Sequence, residues 1–288
     1  LNRPVAAATG TAEGGASAGV PVGWWLFPVI LLLLLALGRT GLLRDPGTFW
    51  HIAVGQQILA TGEFITVDPF TFSFAGEPWI AHQWLGECLL AITYAWTGLD
   101  GIVLLWGGVL ALLLTWAGLR LQRSGLHWLP ALLVLAVVFA ASSYGFHARP
   151  HVATIGLLAL TTSLLCDCEA RRRSLAQLWW LVPLMALWSN FHGGVLGGIG
   201  TVGLVFAGWT LAWWRQWPTP VQSLRDVAWL AGLLAACGAA TLLTPYGLET
   251  PRVWLTIMRA DLPDLIVEHA PLDPRSGVGL LVLLAGGL

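Results

Sequence analysis

Charge is the first thing this chain lacks. Only 10% of its 288 residues are Asp, Glu, Lys or Arg, against roughly a quarter in an ordinary soluble domain. All 14 basic residues are Arg and none is Lys, which reflects genome composition rather than mechanism. The net charge of -1 offers no basic surface and argues against nucleic acid as a partner. The four cysteines (Cys88, Cys166, Cys168, Cys237) form no CxxC pair and no zinc pattern. Cys166-Asp-Cys168 has the composition of a metal ligand set, but free thiols near a membrane face are the simpler reading. No P-loop, GxSxG or HExxH motif occurs, so nucleotide hydrolysis, nucleophile-elbow and zincin chemistry find no support.

What the chain has instead is hydrophobic length. Its composition is 57% hydrophobic and its mean hydropathy is +0.74, which places it among polytopic membrane proteins with an all-α transmembrane bundle. Eight stretches are expected to span: 23–41, 101–119, 127–144, 151–167, 176–190, 194–214, 226–243 and 277–288. A crossing needs about 20 residues. The segments 83–97 and 47–61 are too short or too polar, and read as helices at the interface. The organisation is thus a disordered tail over 1–22, Ala/Gly/Thr-rich without the basic n-region of a signal, and a transmembrane domain over 23–288. The outer loop 44–100 carries the two interfacial helices. Leu1 in place of Met, and an end inside the apolar run from Val278 to Leu288, are expected of a piece of something longer.

Arginine placement orients the bundle. Eight spans put Arg3, Arg120, Arg123, Arg171, Arg172, Arg173, Arg215 and Arg225 on one side, which the positive-inside rule makes cytoplasmic. Arg39 and Arg44 fall on the other side, against the rule. The outer face then collects every histidine except His127, and every carboxylate except Glu13, Asp167, Glu169 and Asp226. Ionisable groups beside a bilayer are costly, so such a gathering is a functional-site hypothesis.

Each outer motif carries two readings. Asp45-Pro46 ends the first span at a helix-breaking proline and leads to His51. Asp45 is either a proton acceptor, cation ligand or hydroxyl binder, or a cap for the amphipathic segment that follows. Asp68-Pro69 repeats the Asp-Pro turn signal. In Trp79-Ile-Ala-His82-Gln-Trp84-Leu-Gly-Glu87, the offset of five is poor for one shared metal. A substrate-facing His82 with a structural Glu87 fits better. Arg149-Pro150-His151 opens the fourth span with the side chain suited to bidentate phosphate recognition; an interface anchor is the alternative. Asn190-Phe-His192-Gly193-Gly194 forms a tight turn whose Asn and His need partners, each other or a ligand. Thr244-Pro-Tyr246-Gly, and Glu268 with His269 in the loop 249–275, complete the face. The 18 tryptophans mostly pack on lipid and neighbouring helices.

This pattern resembles the GT-C superfamily of membrane glycosyltransferases, in particular oligosaccharyltransferase and protein mannosyltransferase subunits. The likeness rests on a first span ending in an acidic residue, an outer loop of two interfacial helices, the Asp45-Pro-Gly-Thr-Phe49-Trp50 start of that loop, and the Tyr144–His151 stretch where mannosyltransferases carry an Arg motif. Bacterial membrane proteins with similar Asp-x-x-x-Trp-His, His-x-Trp-Leu-x-Glu, Arg-Pro, Asn-x-His-Gly-Gly and Pro-Tyr-Gly segments are also alike. The resemblance implies transfer of a sugar from a polyprenyl-phosphate lipid donor to an acceptor on the outer, periplasmic face of a bacterial inner membrane, with inversion. Asp45 would be the catalytic base or metal-linked carboxylate, and Arg149 the ligand of the donor phosphate. The chain departs from the family where Pro46 and Gly47 replace the second member of the acidic pair. Asp68 or the outer loop would have to supply it.

In the resulting expectation, Asp45 and Asp68 are catalytic. His51, His82, Arg149, His151, Asn190, His192, Tyr246 and Glu268 bind substrate, and a divalent cation would sit on Asp45, Asp68 or Glu268. Two other classes stay open: a transporter of a polar or lipid-linked solute, and a non-catalytic membrane subunit packed against protein partners.

Overall fold

The computed structural model describes residues 22–260 and 273–287; the N-terminal tail and Glu268 lie outside them. Among the described residues the architecture is all-helical. The extended contact between strands is limited to one isolated bridge, Val67 with Pro78.

The first apolar run forms α1 (Leu26–Leu37) and a single turn, α2 (Arg39–Leu42), jointed at Gly38. The helix therefore stops at Leu42, three residues before Asp45, and proline is not what stops it. Pro46 instead stands at the N-cap of α3 (Gly47–Thr61), where its fixed φ and missing N–H suit a helix start. Gly62, in the left-handed region at φ 69°, closes α3 with its N–H on the Ile58 carbonyl at 2.9 Å. The expected interfacial segment 47–61 is this helix.

The helix α4 (Trp84–Arg123) runs for 40 residues but is bent at Gly98, whose φ of 64° and ψ of -159° are not helical. The bend separates 84–97 from 99–123, where the short Glu87-bearing segment was expected to end. Next come α5 (Trp128–Ser142), α6 (Val152–Glu169), α7 (Leu181–Phe191), α8 (Val195–Trp214), α9 (Leu224–Ala240), α10 (Glu249–Arg259) and α11 (Gly277–Gly286). Among the described residues three helices, α4, α6 and α8, are long and apolar enough to cross a membrane. The other expected spans are shorter. The run 176–190 is divided into a 3-10 stretch capped by Ser174 and Gln177, and the 11-residue α7. The run 23–41 is divided at Gly38.

Two cores hold the helices. One gathers Leu34, Leu42, Ile52, Leu90, Ile102, Trp106 and Phe146 around α4. The other gathers Met185, Trp188, Val202, Phe206, Trp209 and Leu230 among α6 to α9. A smaller cluster under the outer run joins Val54, Ile58, Ile65, Ala81 and Cys88. Glycine is indispensable at the α3–α4 contact, since a Cβ on Gly55 would overlap the Glu87 carbonyl oxygen. That close approach puts the inner face of α3 directly on the polar start of α4. Meanwhile Leu32, Leu37, Leu112, Leu133 and Leu204 turn outward, an apolar exterior that suits lipid better than water.

Candidate functional site

The polar residues converge at one end of the bundle, where α3, α4 and α6 begin and α7 ends. Asp45 connects them. One carboxylate oxygen accepts the Gly47 N–H at 2.6 Å, and the other accepts from Arg149 Nη1 at 2.8 Å, with His147 Nδ1 at 3.8 Å. One oxygen thus closes the turn into α3, and the other is taken by the ion pair with Arg149. Partial burial opposes ionisation of this carboxyl. The Gly47 N–H, the Arg149 charge and hydrogen bond, and His147 together outweigh it and hold the group below its ordinary value. Arg149 is itself anchored through its carbonyl, which accepts the Trp106 indole N–H at 3.1 Å.

From Arg149 a row of imidazoles runs inward. The rings of His147 and His151 lie 6.5 Å apart between centroids, and those of His151 and His192 lie 6.2 Å apart. His151 Nε2 is 2.5 Å from the Gly145 carbonyl oxygen. A carbonyl can only accept, so that nitrogen carries the proton. At His192 the reverse holds. Its Nδ1 accepts the Gly194 N–H at 2.9 Å and faces the Thr154 hydroxyl at 3.0 Å, so the ring is neutral and protonated at Nε2. Burial, with His151, His82, Arg149 and His51 nearby, pushes His192 down to about 3. The support is built in sequence: Gly198 leaves room for the Trp188 ring, whose N–H donates to Thr154 Oγ1 at 2.8 Å. Small residues at the turn are required as well. A Cβ on Gly194 would stand 2.5 Å from Thr154 Oγ1, and one on Gly193 would stand 2.9 Å from Trp254 Nε1.

A second pair lies behind this row. His51 of α3 meets Glu87 of α4, Nδ1 to Oε1, at 2.9 Å, and both are buried. The other Glu87 oxygen is buried without a hydrogen-bond partner among the described residues. Glu87 is thus the partner of His51, 36 residues away, and not of its sequence neighbour His82. His82 Nε2 lies 3.3 Å from Gln83 Nε2. Burial and the nearby His51 push His82 down to about 4, against the opposing effect of the Ile80 backbone.

Other expected site residues are occupied with structure. Asn190 accepts the Trp84 indole N–H at 2.7 Å and donates to the carbonyls of Ala186 and Leu243 at 2.8 and 2.9 Å. It joins α4, α7 and the turn before α10. Asp68 accepts from the backbone of Phe70 and Thr71 at 2.8 and 3.0 Å, and from the Thr71 hydroxyl. These bonds, the hydroxyl first, hold it below its ordinary value. It closes its own turn, which packs Phe70 against Trp50 and Trp79. Tyr246 packs on Phe64, with centroids 6.0 Å apart, and burial pushes its phenol up to about 12. Its hydroxyl is buried without a hydrogen-bond partner among the described residues. Among the described residues no group of three or more His, Cys, Asp or Glu is arranged to hold a metal. Cys166 is exposed, Cys168 is buried, and both are free thiols.

Next to the Asp45–Arg149 pair opens a groove of about 1160 Å³. It lies between α1 and α5, both of which pack on α4. Ile30, Leu33, Leu37, Leu132 and Phe139 line its length, and Arg44, Asp45, Ser143, His147 and Arg149 line its end. Comparison with protein families, with curated proteins and with solved structures finds no match. The geometry at this end of the bundle is a long apolar trough with a charged head and a row of imidazoles beside it.

Sequence reasoning did not name His147, Thr154 or Trp188 as site residues, and it gave Glu87 only a structural role. The alternation His147-x-Arg149-x-His151 was the available signal for the first. Nothing local marked the partners of the other three, which come from distant helices.

Proposed function

We propose that the chain is a multi-pass membrane glycosyltransferase of GT-C type. In this reading its eight apolar segments are spans, and the histidine end faces the outside of a bacterial inner membrane. The observation that carries it is the amphipathic groove. A polyprenyl chain would lie along the leucines of α1 and α5, and its phosphate would reach Arg149 and Arg44 at the polar end. This pairing of hydrocarbon with anion suits a lipid-linked sugar donor.

The chemistry follows from the charges. Asp45, held ionised by Gly47 and Arg149, would take the proton of the acceptor hydroxyl as its oxygen bonds to the anomeric carbon. The bond from that carbon to the donor phosphate breaks with inversion. The leaving phosphate takes the electron pair and is stabilised by Arg149. His192, neutral with its proton on Nε2, and His151 would serve as hydrogen-bond partners for the sugar. Asp45→Ala in purified protein should lower transfer from a radiolabelled polyprenyl-phosphate donor by on the order of a hundredfold or more. Undiminished transfer would discard Asp45 as the base.

The buried His51–Glu87 pair favours a second reading, proton-coupled transport of a polar solute, because transporters carry ionisable groups beside bent helices. Flux into proteoliposomes without sugar transfer would select it.

A further inference from the structure

At the other end of the bundle three arginines share one carboxylate. Asp167, near the end of α6, accepts from both terminal nitrogens of Arg120 of α4, at 2.7 and 3.3 Å. Arg172 Nη1 and Arg173 Nε stand 3.8 and 3.5 Å from its two oxygens. Three cations on one anion leave an excess of two positive charges. The neighbours leave that excess unchanged, since Arg171, which donates to the Thr219 carbonyl, and Glu169, which accepts the Trp209 indole N–H, add one charge of each sign. Arg172 and Arg173 are 57% and 41% exposed in their side chains.

Beside this cluster is a cleft of about 420 Å³ between α4, α6 and α7. Leu160, Leu164 and Leu187 form its walls, and Arg120, Asp167 and Arg173 its polar end. The Arg120 guanidinium lies over the Trp116 ring, 5.5 Å from its centroid, and is thereby fixed in place. The cleft is separate from the groove at Asp45, because α6 begins beside Arg149 and reaches Asp167 roughly 22 Å further along its axis, at about 1.5 Å per residue.

We propose that this cleft binds an anionic glycerophospholipid. The phosphate would sit on Arg172 and Arg173, and one acyl chain would lie against Leu160, Leu164 and Leu187. The inference rests on the membrane-spanning part of the reading above and not on sugar transfer. Two observations select this ligand. Two of the three wall leucines, Leu160 and Leu164, belong to α6, and α4 flanks the cleft; both helices are long and apolar enough to cross a membrane, so the apolar side of the cleft meets hydrocarbon. The polar end carries surplus guanidinium, which pairs with phosphate in a planar, bidentate manner. A zwitterionic headgroup would bring its own cation against these arginines, whereas phosphatidylglycerol brings none.

The test uses delipidated protein in neutral detergent, titrated with phosphatidylglycerol or phosphatidylcholine and read by native mass spectrometry. Phosphatidylglycerol should be retained on the order of tenfold more tightly. The double variant Arg172→Gln/Arg173→Gln, at exposed positions, should erase that preference. Leu160→Trp, which fills the cleft, should weaken phosphatidylglycerol while leaving the arginines in place. Equal retention of the two lipids by the native chain overturns the proposal, as does a preference that survives both variants. Millimolar inorganic phosphate displacing the lipid completely would also overturn it, since the apolar cleft would then contribute nothing. Extraction of native membranes with alkaline carbonate separates the two claims. Release of the protein breaks the membrane reading itself, whereas a retained protein without lipid preference breaks only this site.

Discussion

The same two helices carry opposite solutions at their two ends. Where α4 and α6 begin, Glu87 is buried and His151 half-buried, and the groups around them are fixed one by one: His51 on Glu87, Arg149 on Asp45, Thr154 on His192. Where they finish, Arg120, Arg172 and Arg173 crowd a single Asp167 and reach outward. Enclosed groups must each find a partner, because an unpaired buried ion or dipole is expensive. Exposed arginines need none, because water or headgroups can solvate them. The enclosed end is therefore a specific geometry, and the exposed end is a charge density. Substitutions should be felt accordingly.

The sharpest test of this difference is His51→Ala. It would leave Glu87 buried, with its one hydrogen bond lost and its second oxygen already without a partner among the described residues. Removing one member of such a pair costs about 3 kcal/mol, which thermal unfolding in detergent should register as a large fall. Replacing both by leucine should recover most of the loss. A His51→Ala protein as stable as the native one would mean that the pair is not enclosed as described.

This pair also marks how far the sequence was legible. The apolar runs and their punctuation located α3 to the residue, and the kink at Gly98 falls where a Glu87-bearing segment was too short to cross. Asp45 and Arg149, 104 residues apart, were singled out separately and stand in contact. The identity of partners was less legible. Glu87 read as a structural residue without a named partner, and that partner, His51, is set by Gly55 letting α3 close on the Glu87 backbone. Asn190 was expected to bind substrate and Asp68 to be catalytic, yet backbone carbonyls and N–H groups from adjacent turns occupy them. Such occupancy depends on which helix ends meet in space, and residue type does not reveal it. Proline was misleading in the same way: Pro46 starts α3 instead of stopping the first helix, whose break at Gly38 and finish at Leu42 come from the chain upstream.

A smaller effect should appear with pH, and again at the enclosed end. His192 is held near 3 in the folded chain, against an ordinary value near 6.5. Between these values the unfolded chain binds a proton that the folded chain refuses, so stability falls as pH drops from about 6.5 towards 3. His82, held at about 4, adds to the same slope. Asp45 contributes lower down, where its own depressed titration removes the Arg149 pair as pH falls through it. In His192→Gln the decline between about pH 6 and pH 4 should be shallower than in the native protein, as measured by unfolding temperature across that range. An unchanged slope would place the sensitivity in other groups.

The weakest expected effect lies at the exposed end, and it completes the contrast. Arg172 is more than half exposed, and its contact with Asp167 is 3.8 Å long, while Arg120 holds the same carboxylate from two directions. Surface ion pairs of this kind contribute roughly 0–1 kcal/mol. Arg172→Gln alone should therefore shift the unfolding midpoint in detergent by little, and raised salt should erase even that difference. Suppose instead that this one substitution costs as much as His51→Ala. The arginine end would then be a built structure in its own right, held by a geometry as specific as the histidine end. Its charge would be committed to the fold and not available to a phosphate from outside.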